Sequence, residues 1–208
     1  MCIRDRFTGT NGCDSIKVLN LTVNNCSVTL TIKTYLEAYY NGSGNMRPTL
    51  SDLGISTDAT ATDTVELALW HPDSLANLSP TWHQKVILHT NGNTDQITLP
   101  SAFSGGSYYL AVRHRNSVEI WSALPVALTA TTNYDFSGSL SSTYGDGVNP
   151  PLKQLEAGIY SMYSGDVNQD GNIDLLDLNI AENDASNFLF GYNATDCNGD
   201  GASDLLDI

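Results

Sequence analysis

Two windows of twelve residues repeat one pattern of oxygen-bearing side chains. The first runs Asp166-Val167-Asn168-Gln169-Asp170-Gly171-Asn172-Ile173-Asp174-Leu175-Leu176-Asp177. The second, 30 residues on, runs Asp196-Cys197-Asn198-Gly199-Asp200-Gly201-Ala202-Ser203-Asp204-Leu205-Leu206-Asp207. Each has side-chain oxygens at positions 1, 3, 5, 9 and 12 and glycine at position 6. That spacing lets a loop wrap hard oxygens around Ca²⁺, which takes about six to eight of them. The expected side-chain ligands are Asp166, Asn168, Asp170, Asp174 and Asp177, then Asp196, Asn198, Asp200, Asp204 and Asp207. Position 7, Asn172 or Ala202, would offer its backbone carbonyl, and position 9 usually acts through a water. Glycine at position 6 supplies a sharp turn that a Cβ would obstruct. Mg²⁺ fits less well, because it prefers a tight octahedron and keeps its waters. Two complete windows argue against an acidic surface without metal, and the expected cofactor is a pair of Ca²⁺ ions.

The charge distribution points the same way. The 208 residues carry 23 acids against 9 Lys plus Arg, a net charge of -14. Ten of those acids, and no Lys or Arg, fall between Ser164 and Ile208. Self-repulsion at that density disfavours a compact state unless a cation offsets it. An acidic chain is repelled by phosphate backbones and has no electrostatic reason to sit on anionic lipid, so nucleic acid and membrane surface are not expected partners. No apolar run reaches the length of a membrane-spanning helix.

The elements that must position these loops read as strands. Residues 26–163 hold short alternating runs at Ser27–Leu36, Thr64–Trp70, Lys85–Thr90, Asp95–Leu99, Ser107–His114, Val118–Ala123 and Asn133–Ser137. Gly/Asn/Ser turns separate them, among them Asn41-Gly42-Ser43-Gly44, Asn91-Gly92-Asn93 and Asn116-Ser117, a spacing that predicts an antiparallel β-sandwich or barrel. A last strand, Gly158–Tyr163, leads into the first loop. Apolar residues between Leu175 and Leu189 predict a short amphipathic helix after it. The expected fold class is mainly β: an antiparallel β-sandwich followed by a small α-helical module of paired calcium loops.

Loop–helix units that are duplicated, lack an entering helix and end in Asp177 and Asp207 rather than the Glu of an EF-hand loop resemble type I dockerin repeats. The resemblance covers residues 165–208 and implies a protein docking partner of the cohesin kind. It departs just after position 9, where Leu175-Leu176 and Leu205-Leu206 stand in place of small hydroxyl residues. Those Leu pairs would instead face the sandwich or the partner repeat. Upstream, the stretch from Phe7 to Asn25 resembles the closing strands of an immunoglobulin-like bacterial surface repeat. Tyr39–Pro48, Gly106–Asn116, Glu119–Ser122 and Ser164–Asn168, in this order, look like the C-terminal part of secreted multidomain proteins of environmental Gram-negative bacteria. Met1-Cys2-Ile3-Arg4-Asp5-Arg6 resembles a translated sequencing adapter. With the stop one residue past the second loop, it suggests an internal fragment. The expected division is 1–6 a non-native start, 7–25 a truncated repeat, 26–163 the sandwich and 164–208 the dockerin-like module.

Other chemistry is poorly supported. His71, His83, His89 and His114 have no helical metal-ligand spacing. No nucleophile-elbow motif is present. Only Glu37, Glu66, Glu119 and Glu156 precede the acidic segment as candidates for paired-carboxylate hydrolysis. No enzyme is expected within these residues. On the Ser107–His114 strand Tyr109 and Arg113 share a face, and Trp121 on the next strand would join them. Rings flanked by polar groups are candidate glycan contacts, against the alternative that Trp121 covers the core. Cys13 and Cys26 could pair in an exported protein, and Cys197 is expected to be a free thiol. The expected function is a non-catalytic, extracellular, calcium-binding segment of a bacterial multidomain protein, serving adhesion, anchoring or assembly. The alternative is a carbohydrate-binding accessory and dockerin of a polysaccharide-degrading enzyme whose glycoside hydrolase lies upstream.

Overall fold

The computed structural model describes residues 2–8, 14–20 and 27–208. Strands β1 (Cys2–Thr8) and β2 (Asp14–Asn20) pair antiparallel as a hairpin, and β1 runs across position 6. Cys13 and Cys26 lie outside the described residues.

From Val28 onward short apolar strands build the sheets, with strict alternation in the first of them. Strand β3 (Val28–Lys33) buries Val28, Leu30 and Ile32 and turns the intervening residues outward. A short ribbon of β4 (Tyr40–Gly42) and β5 (Asn45–Met46) forms where the sequence suggested only a turn. The single helical turn α1 (Thr49–Asp52) then leads to β6 (Ala61–Trp70), β7 (Trp82–His89) and β8 (Ile97–Leu99). Next come β9 (Ser107–His114), β10 (Ser117–Trp121), β11 (Val126–Ala127) and β12 (Thr131–Asp135). Strands β13 (Lys153–Glu156) and β14 (Ile159–Ser161) form a last pair.

One sheet has the order β10-β9-β6-β7, with β11 also on β9, and the other the order β12-β3-β8. Their inner faces share a single core. Leu30 and Ile32 of β3 meet Val65, Leu67 and Leu69 of β6 and Leu110 and Val112 of β9, with Phe136 and Tyr39 fully buried among them. Each such side chain contributes about 1.5–3 kcal/mol by leaving water. The expectation of a wholly antiparallel sandwich needs one correction. Strand β12 pairs with β3 in parallel, Thr131 opposite Thr29. The chain visits the other sheet between these two strands, and such a crossover, unlike a hairpin, can return a strand in the same direction.

The β9–β10 hairpin turns at Arg115-Asn116, with Ser117 opposite His114. The acidic segment starts at this tip: Gly165 N–H donates to the Asn116 carbonyl at 2.7 Å, and Ser164 bridges Ser117. Beyond the first loop, helix α2 (Leu175–Ser186) is three residues shorter than the expected span. Phe188, in the left-handed region at φ 54°, follows its end.

The Leu pairs do not turn inward as expected. Leu175 and Leu176 are 71% and 58% exposed, Leu205 and Leu206 82% and 75%. The helix buries only Asp177 and Ala181, which lie four residues apart on one face. The carboxylate of Asp177 is drawn into the loop, and that rotation leaves positions 10 and 11 on the outside. Among the described residues α2 is the one α-helix longer than a single turn, and no helix is long and apolar enough to cross a membrane.

Candidate metal centre

The first loop is closed by its own carboxylates. Asp166 accepts from the N–H groups of Asp170 and Gly171, at 3.1 and 3.2 Å. Asn168 Oδ1 accepts from Asp170 N–H at 2.8 Å, and Asp170 from Asn172 N–H at 2.9 Å. Asp174 caps α2 through Leu176 N–H, while Asp177 returns to Asp174 N–H, a reciprocal capping box. The other oxygen of Asp177 accepts from Val167 and Asn168, which ties position 12 to positions 2 and 3. Gly171 makes the turn at φ 88° with nothing within 4 Å of where a Cβ would stand.

The second loop repeats most of this pattern. Asp196 accepts from Asp200 and Gly201 at 3.0 and 3.2 Å, Asn198 from Asp200 at 2.8 Å, and Asp200 from Ala202 at 3.0 Å. Asp204 accepts from Leu206, and Asp207 from Asp204 and Asn198. Two stretches that differ at positions 2, 4, 7 and 8 thus fold into one loop form.

The donor chemistry fits a divalent cation. Asp166 and Asp177 are buried, yet among the described residues no ion pair reaches either of them. Burial, with the charges of Asp177 and Asp170 beside it, raises the pKa of Asp166. Burial likewise raises Asp196, against the pull of Arg115, and raises Asp207. Asp170 is exposed, and hydrogen bonds from Asn172 and Asn168 lower its pKa. A carboxylate has about four lone-pair directions, so the loop's N–H groups leave oxygen capacity for an ion. Among the described residues no three His, Cys, Asp or Glu side chains converge as a ready metal-holding group. The oxygens on offer are mixed, with Asn168, Asn198 and the position-7 carbonyls of Asn172 and Ala202 beside the carboxylates. Cys197 at position 2 is a buried free thiol whose pKa is pushed up to about 12, first by burial and then by Asp207.

A second polar cluster had no signature in the sequence beyond an acid beside an apolar strand run. Asp63 of β6 is fully buried and is met by His114 at 3.1 Å, by Arg115 Nε at 3.1 Å, and by the hydroxyls of Tyr39 and Tyr192. Arg115 Nη2 also donates to the Tyr39 hydroxyl, and its guanidinium lies 4.4 Å from the Tyr192 ring centre. Burial favours protonation of Asp63, but His114 and Arg115 outweigh it and hold the carboxyl well below its usual range.

The aromatic candidates lie on the outer face of the larger sheet. Trp121 packs against Trp70 at 5.0 Å and Tyr109 at 6.4 Å between ring centres. Ala68 and Ala111 are the small residues beneath these rings. With Leu75, Ser122 and Tyr144, Tyr109 and Trp121 line a depression of about 360 Å³. Arg113 is engaged by Glu119 at 2.7 Å rather than by the indole. The four histidines are dispersed: His71 and His83 sit beside Asp73 and Glu66, His89 between Asp58 and Asp95, and His114 on Asp63.

No family model matches the chain, and no curated protein matches it. Solved structures similar to it include two chains from type II cohesin–X-dockerin complexes of Acetivibrio cellulolyticus. One carries an N-terminal interface mutation (TM-score 0.45, 16% identity), the other a C-terminal one (TM-score 0.46, 14% identity). Each match covers 86% of this chain and 90% of that chain. At that score and identity no partner or activity carries over.

Proposed function

We propose that this is a non-catalytic β module whose C-terminal segment binds two Ca²⁺ ions and serves adhesion, anchoring or assembly in an exported bacterial protein. The observation that carries the reading is the recurrence of one hydrogen-bonded loop form, with oxygens at positions 1, 3, 5, 9 and 12, in Asp166–Asp177 and again in Asp196–Asp207. Asp166, Asn168, Asp170 and Asp177 would hold one ion, Asp196, Asn198, Asp200 and Asp207 the other, with Asp174 and Asp204 acting through water. Bound ions would supply positive charge to a segment holding ten acids and no Lys or Arg. Millimolar extracellular calcium suffices even for weak loops of this kind.

The test is titration calorimetry with native mass spectrometry, in calcium and then in chelator. Two ions per chain are expected, with a rise in melting temperature. At a hundredfold excess over Kd, each ion stabilises the fold by about 2.7 kcal/mol. Identical melts and masses in calcium and chelator would overturn the reading.

The depression beside Trp121 favours a second reading, glycan binding. Tyr109 and Trp121 line it, and the Arg113–Glu119 pair supplies polar groups on the same side of the sheet. A glycan array with wild type and Trp121→Ala tests it, and a wild type that retains no glycan removes it.

A further inference from the structure

We infer that the second loop's ion site is built jointly with the sandwich, through Arg47, Thr49, Arg115 and Asn116, whereas residues 166–177 of the first loop take no ion pair or hydrogen bond from it among the described residues; this rests on the calcium reading above. Two cations face the acids of the second loop. Arg115 Nη2 lies 3.7 Å from Asp196 Oδ2, and Arg47 Nη1 lies 3.9 Å from Asp200 Oδ2. Among the described residues no ion pair reaches the acids of the first loop.

The backbone of the second loop is held from the same side. Thr49 Oγ1 donates to the Gly199 carbonyl at 2.7 Å, and buried Asn116 donates to the carbonyls of Ala194 and Asp196 at 3.1 and 3.0 Å. Gly199 is the residue that permits this approach, since a Cβ there would stand 2.3 Å from Thr49 Oγ1 and 2.4 Å from Tyr39. Asp63 then ties the two sides together, accepting from Arg115 of the hairpin tip and from Tyr192 just ahead of the loop.

Opposed effects on the ion follow. The guanidinium groups repel an arriving cation and weaken the second site, while the sandwich contacts order the loop in advance. An ion held there also clamps the loop against the sandwich, so its binding stabilises the larger domain. Arg47 is the positioning residue to vary, because it is partly exposed and lies outside the buried network around Asp63.

The experiment uses the full chain with one loop disabled at a time, by Asp170→Asn or by Asp200→Asn, and reads Ca²⁺ affinity by calorimetry. With only the second loop intact, Arg47→Met should raise affinity about two- to fivefold, the range of a partly exposed pair, and Arg47→Lys should restore it. With only the first loop intact, Arg47→Met should leave affinity unchanged. All three tryptophans of the chain lie in the sandwich, so their fluorescence reports its melting. Calcium should raise that melting temperature more through the second loop than through the first. Equal effects of Arg47→Met on both loops, no effect on either, or equal melting shifts would overturn the inference and leave the calcium reading standing. A wild type that binds no ion would remove both.

Discussion

Arg115, at the tip of a sandwich hairpin, places its Nη2 3.7 Å from Oδ2 of Asp196, the first acid of the second loop. The two side chains are 14% and 0% exposed. The same guanidinium bonds Asp63, so one cation answers two buried carboxylates from separate parts of the chain. Substituting it should therefore cost more than a lost surface contact. Arg115→Met is expected to destabilise the protein by about 3–5 kcal/mol, the scale for breaking a buried pair while leaving the acid in place. Urea unfolding measures this, and a loss below about 1 kcal/mol would mean that Asp63 does not depend on Arg115.

Acid should act through Asp63. Its folded pKa lies below the ordinary value of 3.8, because His114 and Arg115 overcome the effect of burial. The folded state therefore binds this proton less readily than the unfolded chain does. Its stabilising contribution is present above 3.8 and is lost as pH falls from there toward the folded value. Urea midpoints between about pH 5 and pH 2 should fall along this limb. Asp63→Asn should start lower and slope less, and an unchanged slope would assign the limb to other acids.

Two glycines separate strain from crowding. Gly171→Ala places a side chain at φ 88° in open space, so it should cost about 1 kcal/mol. Gly199→Ala adds a collision with Thr49 and Tyr39 to a similar φ of 73°, and should cost roughly 2–4 kcal/mol. Thermal melts of the two variants compare them directly. Equal losses would mean that the second loop is not seated against the sandwich.

The Leu pairs after position 9 offer a reverse test. Leu176→Ser and Leu206→Ser should each change stability by no more than about 0.5 kcal/mol, since both side chains face solvent. Melting curves that fall as for a core leucine would place these residues inside after all.

Much of the fold was legible because β alternation and turn chemistry are local. Ser107–His114 is a strand from end to end, and the alternation of Tyr109, Ala111 and Arg113 against Leu110 and Val112 is the one the sheet uses. The loops were legible for the same reason, since each hydrogen bond to the carboxylate of Asp166 or Asp196 closes within five residues. The β4–β5 ribbon was hidden in what looked like one turn. The outward turn of Leu175 and Leu176 was hidden because helix rotation follows the Asp174–Asp177 capping box as well as hydropathy. The parallel β12–β3 pair was illegible, because no local pattern reports which distant strand a segment joins.

The sequence by itself determined the mainly β character, the two loop windows and the concentration of acid in the last 45 residues, all properties of short stretches of chain. Only the tertiary structure decided that the loops are unequal. Asp63, Arg115, Tyr192 and Asp196 are spread over more than 130 positions and meet at one buried point. Burial makes each of those charges depend on the others, and burial is a property of the packed chain.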